Sequence, residues 1–179
     1  MKVSGQESEV IERAARRGLM FCAVVFTTPI CLALLVLGWA MRDHDALHAA
    51  ARTGDVARVE KLLDRHPDRL ERRNKLGQTA LHVAVWEGNT DVVVTLIKRG
   101  ADVRATGGPV RSGDGRWTAM HIAASAGRVP VALELIRAGC DVNALSQAGE
   151  TPLDVALGRG NAALARALQA NGGVSAKSQ

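Results

Sequence analysis

Three histidines stand in nearly the same surroundings: Ala46-Leu47-His48-Ala49-Ala50, Ala80-Leu81-His82-Val83-Ala84 and Ala119-Met120-His121-Ile122-Ala123. Imidazole is the commonest metal ligand and general base in proteins, so recurrence of this kind raises both chemistries. A metal needs its ligands within about 2 Å of one point, with several donors converging. His44 and His66 stand at no metal-binding spacing to any partner. Of the three cysteines, Cys22 and Cys31 lie in an apolar stretch and Cys140 is alone, so no disulfide framework is expected. No phosphate loop, CxxC pair or G-x-S-x-G elbow occurs. The residues therefore predict no catalysis, no metal, no cofactor and no small-molecule substrate.

The histidines instead mark a repeat. Leu76 to Gly88 (LGQTALHVAVWEG) matches Gly115 to Gly127 (GRWTAMHIAASAG) position by position, and Ala148 to Gly160 (AGETPLDVALGRG) is a further copy. Asp45 to Gly54 (DALHAAARTG) opens the series, and the equivalent positions Asp45, Thr79, Thr118 and Thr151 are 34, 39 and 33 residues apart. Each copy starts with a helix-capping residue type and reaches Gly54, Gly88, Gly127 or Gly160, as expected for a left-handed helix stop. Second apolar-periodic runs come next at Val56 to Leu63, Val92 to Ile97 and Val131 to Ile136, and Gly100-Ala-Asp-Val103 and Gly139-Cys-Asp-Val142 make turns. Small residues at Ala50, Ala84, Ala123 and Ala156 permit close helix approach.

The pattern resembles the ankyrin repeat over about residues 43–172: the T-P-L-H-x-A signature, a period of 33, paired helices and a closing G-A-D-V-N-like turn. The resemblance implies an all-α solenoid of four helix-pair repeats with fingertip turns, at about 43–74, 75–105, 115–145 and 146–172. It makes His48, His82 and His121 structural, in a hydrogen-bond network with Thr79, Thr118 and Thr151 between adjacent layers. Layers stack roughly 10 Å apart, too far to share one ion. Asp154 stands where the fourth histidine would be, as in a terminal repeat with no neighbour to bond.

Ankyrin partners dock on a concave face made by the fingertips and the exposed ends of the first helices. Carried onto this chain, that face holds Arg52, Trp86 and Glu87, with Gln78, Arg116 and Trp117 at the fingertips. Aromatic residues are 3% of the chain, and Trp86 and Trp117 are the only ones beyond the apolar stretch. Both are expected as partner-facing anchors for another protein. Six extra residues enlarge the fingertip at 105–114, where Arg111 is a further candidate contact, and packing of Trp117 against that loop is the competing reading. Asp64 to Arg73 is dense in charge and reads as a solvated connection rather than a binding patch. The tail 173–179 has no apolar period and is expected to be disordered.

Leu19 to Met41 is 23 residues without a charge. As a helix it would measure about 34 Å, enough to cross a hydrocarbon core of about 30 Å. Trp39 suits the headgroup boundary, and Arg13, Arg16 and Arg17 crowd the preceding side. The segment 19–41 is expected to be a single transmembrane helix in contact with lipid. Residues 1–18 would stay in the cytoplasm, and the repeats would lie on the periplasmic side of a bacterial inner membrane. The bacterial assignment rests only on a small, Ala/Arg-rich chain. Gly38-Trp39-Ala40 also permits signal cleavage, which would yield a soluble periplasmic inhibitor or immunity factor. A third reading uses Ala33 and Gly38 as a small-residue face docking the helix into a membrane complex, as an accessory subunit. The charge balance, 23 Lys+Arg against 18 Asp+Glu, is interspersed. With so few aromatics to stack bases, no nucleic acid is expected.

Overall fold

The computed structural model describes residues 45–107 and 116–176, and the expectations for residues 1–44 and the insert at 108–115 lie outside the described residues. The chain divides into two units, 1–44 and 45–179, of which the second holds the repeats. Its α-helices come in pairs: α1 (Ala46–Thr53) with α2 (Val56–Arg65), α3 (Ala80–Glu87) with α4 (Thr90–Lys98), α5 (Ala119–Ala126) with α6 (Val129–Arg137), and α7 (Pro152–Gly158) with α8 (Ala162–Ala170). A 3₁₀ turn, Pro67–Arg69, succeeds α2. Among the described residues the sole extended pairing is a bridge between Thr106 and Thr118.

First helices stack on first helices (α1 on α3, α3 on α5, α5 on α7) and second helices likewise (α2 on α4, α4 on α6, α6 on α8). Ala50, Ala84, Ala123 and Ala156 are fully buried where the first helices meet, because a methyl group is all that fits between closely approaching backbones. Val59, Val92, Leu96, Leu135 and Leu168 fill the space beneath. An aliphatic core suffices because each layer is thin and buries its surface against its neighbours.

The column after each first-helix glycine sews layers together. Asn89 Nδ2 donates to the carbonyls of Ala51 and Arg52 at 2.8 and 3.0 Å, and Asn161 Nδ2 donates to those of Ala124 and Ser125 at 2.7 and 3.1 Å. In the layer between them Arg128 takes the position, its Nε donating to the Trp86 carbonyl at 3.3 Å. Gly88 has φ +86°, so the turn favours glycine, and a Cβ there would displace the end of the Arg128 side chain, 2.9 Å away.

Two expectations need correction. Residues 173–176 are held in place: Gly173 N donates to the Leu168 carbonyl at 2.8 Å, Val174 N to Asn143 Oδ1 at 2.8 Å, and Ala176 N to Asp154 Oδ2 at 3.0 Å, with Thr151 Oγ1 2.9 Å from the Val174 carbonyl. The second correction concerns Trp117, which is buried with 3% exposure. Gly107 N donates to the Trp117 carbonyl at 2.7 Å, closing the neck of the enlarged fingertip. The indole belongs to the core, its centroid 6.1 Å from that of the His121 ring.

Candidate functional site

The histidine network is built twice in full. Thr79 Oγ1 lies 2.7 Å from His82 Nδ1, and Thr118 Oγ1 lies 2.8 Å from His121 Nδ1. On the far side, His82 Nε2 meets the Ala105 carbonyl and His121 Nε2 the Glu150 carbonyl, both at 3.0 Å. A carbonyl can only accept, so Nε2 carries the proton and Nδ1 receives the threonine hydroxyl. Each ring thus joins the start of its own helix to the next fingertip. Burial outweighs these bonds and lowers the His82 pKa to about 4; burial also lowers that of His121. Both are neutral bridges at neutral pH.

His48 makes only the outward bond, Nε2 to the Gln78 carbonyl at 2.9 Å, and its buried Nδ1 has no partner among the described residues. Asp45 replaces the threonine there, which removes the hydroxyl. At the other end, Asp154 is not left without a neighbour. Its carboxylate accepts from Thr151 N at 3.0 Å, Thr151 Oγ1 at 2.9 Å, Ser175 Oγ at 2.5 Å and Ala176 N at 3.0 Å. The returning tail offers donors where a next fingertip would offer a carbonyl, so an acceptor-only side chain fits. Burial favours the neutral acid, but the bonds from Ser175, Thr151 and Ala176 prevail and hold its pKa at about 2.

The candidate binding residues separate once placed. Trp86 is 43% exposed on the last turn of α3, beside exposed Glu87, and its carbonyl is clamped by Arg128. Arg52 is exposed on α1 and lines a shallow cleft of about 210 Å³ with Lys75 and Leu76 of the next fingertip. Gln78 is half-buried and spent on the turn: its N–H donates to Asn74 Oδ1 at 3.0 Å, and Asn74 N donates to its carbonyl at 2.8 Å. Arg116 is exposed, while Arg111 lies outside the described residues. Trp117 leaves the surface set altogether. Next to the Trp86 layer, Ser125 and Ala126 are half-buried and small, and beyond them Gly158 and Arg159 are exposed. A single indole therefore stands over a low floor.

A second cleft, about 450 Å³, is lined by Arg104, Thr118, Cys140 and Asp141. Its Cys140 thiol is pushed up to about 11 by burial, which leaves it unreactive at neutral pH. Among the described residues no group of three or more His, Cys, Asp or Glu could hold a metal. Nor is any described helix long and apolar enough to cross a membrane. Sequence reasoning missed Asn89, Arg128 and Asn161. Their signal was available, since each directly succeeds a first-helix glycine in its copy.

Known proteins agree with this layered geometry. Two family models match, one for ankyrin repeats (3 copies) over residues 19–107 and one for ankyrin repeats (many copies) over 105–156. The first match runs through the apolar stretch as well as the first two described layers. Among curated relatives, the chain is similar to the 2-5A-dependent ribonuclease of Mus musculus, 39% identical over 62 residues, covering 35% of this chain and 8% of that protein. It is also similar to the B-cell lymphoma 3 protein homolog of Mus musculus, 34% identical over 113 residues, covering 58% of this chain and 25% of that protein. The chain thus spans a quarter or less of the length of either relative. With the repeat period, the stacked helix pairs and the Thr–His bridges in agreement with both matches, the chain belongs to the ankyrin-repeat family.

Proposed function

We propose that this chain is a non-catalytic, membrane-anchored ankyrin-repeat protein that captures a protein partner on its concave face, with Trp86 as the central anchor. The observation that carries the reading is the contrast between the two tryptophans of the repeat unit. The fold consumes Trp117 and leaves Trp86 in water on a clamped backbone, at the place where ankyrin partners dock. The exposed part of the indole is apolar surface that its own layer leaves in water and that an interface would bury. Arg52, Glu87 and Arg116 supply a polar rim around it, and Arg111 belongs to the proposed surface as part of the enlarged fingertip.

The anchor is residues 19–41, with 1–18 in the cytoplasm and the repeats on the periplasmic side of a bacterial inner membrane. Support comes from the length of the charge-free run and the arginines before it. Two measurements test the reading. Alkaline extraction of cell membranes should leave the full-length chain in the pellet, and release of a shortened chain would favour a cleaved, soluble protein. Co-purification in mild detergent should retrieve a protein partner with the wild type and lose it with Trp86→Ala. Retention by the variant would remove Trp86 from the binding site.

A further inference from the structure

The described repeat unit carries 16 Lys and Arg against 13 Asp and Glu, a net charge of +3. Two neighbouring segments, 64–75 and 98–104, together hold eight of those cations and four of those anions, a net of +4. The remainder of the described unit is therefore −1, and its positive charge is a property of one edge.

Two contacts hold the two segments side by side: Arg99 pairs with Asp64 at 2.7 Å, and Asp102 N donates to Glu71 Oε1 at 2.8 Å. Just beyond the second segment, Arg73 donates to the Thr106 carbonyl. These contacts also decide which charges are left over. Asp64 is paired with Arg99, while Glu71 and Asp102 are held in place by the Asp102 and Arg104 amides, the latter at 2.8 Å, and keep their charges within the net of +4. Arg65, Arg72, Lys75 and Lys98 are exposed and make no ion pair among the described residues, and the Arg104 side chain likewise makes none; Asp68, Glu71 and Asp102 of the edge, with Asp141 in the cleft beside Arg104, are the acids around them. The next layer does not continue the pattern: Glu134, Arg137 and Asp141 sum to −1, with Arg137 paired to Glu134.

We propose that this edge docks on a membrane surface rich in anionic phospholipid. Headgroup phosphates attract each nearby Lys or Arg by about 1 kcal/mol, so four or five unpaired cations suffice for a salt-sensitive contact. Two features favour lipid over nucleic acid. Neither segment contains an aromatic residue to stack a base, and the charge-free run 19–41 lies a short distance before the unit in sequence. The inference rests on the membrane reading only for bringing the edge near lipid, and the four residues changed in its test lie outside the Arg52 cleft that Lys75 shares.

The test uses the full-length chain with vesicles of phosphatidylcholine alone, or of phosphatidylcholine and phosphatidylglycerol in equal parts. Hydrogen exchange is monitored in 64–75 and 98–104, with 157–170 as the control segment. Protection of the first two segments on the anionic vesicles alone, abolished by high salt and by the fourfold variant Arg65→Glu, Arg72→Glu, Lys98→Glu and Arg104→Glu, is the expected result. The milder pair Arg65→Gln and Lys98→Gln covers the case in which the fourfold variant misfolds. It should lower the docked population about fivefold per charge. Equal protection on both vesicle types, or protection that survives the milder pair, would overturn the proposal. So would protection by duplex DNA where anionic vesicles give none. Alkaline extraction of the same vesicles reports the anchor separately, so failure of the edge and failure of the anchor cannot be confused.

Discussion

Trp86 and Trp117 sit in consecutive layers and are used in opposite ways. Trp117 is 3% exposed and lies in the core beside the His121 ring. Its truncation to Ala should cost about 3–5 kcal/mol, because neighbours pinned by backbone hydrogen bonds cannot collapse into the space. Chemical denaturation would read this as a lowered midpoint. Trp86, 43% exposed, should behave in reverse. Trp86→Ala should leave stability within about 0.5 kcal/mol of wild type, while partner affinity falls about 30-fold, the loss typical of an aromatic anchor. Equilibrium unfolding and a binding titration on the same two variants separate the roles.

Element cohesion depends on proton placement. His82 and His121 serve as bridges only while neutral, since Nδ1 must accept and Nε2 must donate. Burial depresses both below the ordinary value of 6.5, His82 to about 4. Above pH 6.5 the folded and unfolded chains are alike neutral at these rings and the bridges contribute fully. Between pH 6.5 and about 4 the unfolded chain takes up protons that the folded chain refuses. Stability should therefore fall by about 1.4 kcal/mol per pH unit for His82 in that window, and His121 adds to the fall in the same direction. Urea titrations at stepped pH check the slope, and His82→Asn should flatten it. Asp154 takes the other limb: held at about 2, its contribution is intact above the ordinary 3.8 and is lost as pH falls from there towards 2. Asp154→Asn replaces one carboxylate oxygen by an amide donor, so either Ser175 or the Ala176 and Thr151 amides lose their acceptor, and should cost about 1–3 kcal/mol. Amide exchange in 173–176 should rise with it.

At the scale of the whole molecule, the stack was legible in the chain wherever a signal recurred. Four copies aligned on Asp45, Thr79, Thr118 and Thr151 revealed the helix pairs and the all-helical architecture, and Thr79–His82 and Thr118–His121 became bridges between layers. What escaped was non-repeating. Trp117 occupies a fingertip column yet is buried, and no local pattern in the sequence records that burial. Ser175 and Ala176 come after two glycines in a segment without apolar period, yet they are fixed by a carboxylate more than twenty residues upstream. Long-range hydrogen bonds of this kind leave no trace in periodicity. Gln78 was legible as a fingertip residue, but not that its own turn would use up its backbone groups.

Photo-crosslinking from residue 86 in native membranes tests most directly whether a protein partner sits on the Trp86 face of a membrane-held repeat stack. Crosslinkers at residue 117 in the core and at exposed Arg166 on α8 serve as comparisons. A partner on that face predicts one discrete protein adduct from position 86, and none of that mass from 117 or 166. Absence of an adduct at 86, or the same adduct from Arg166, would contradict it.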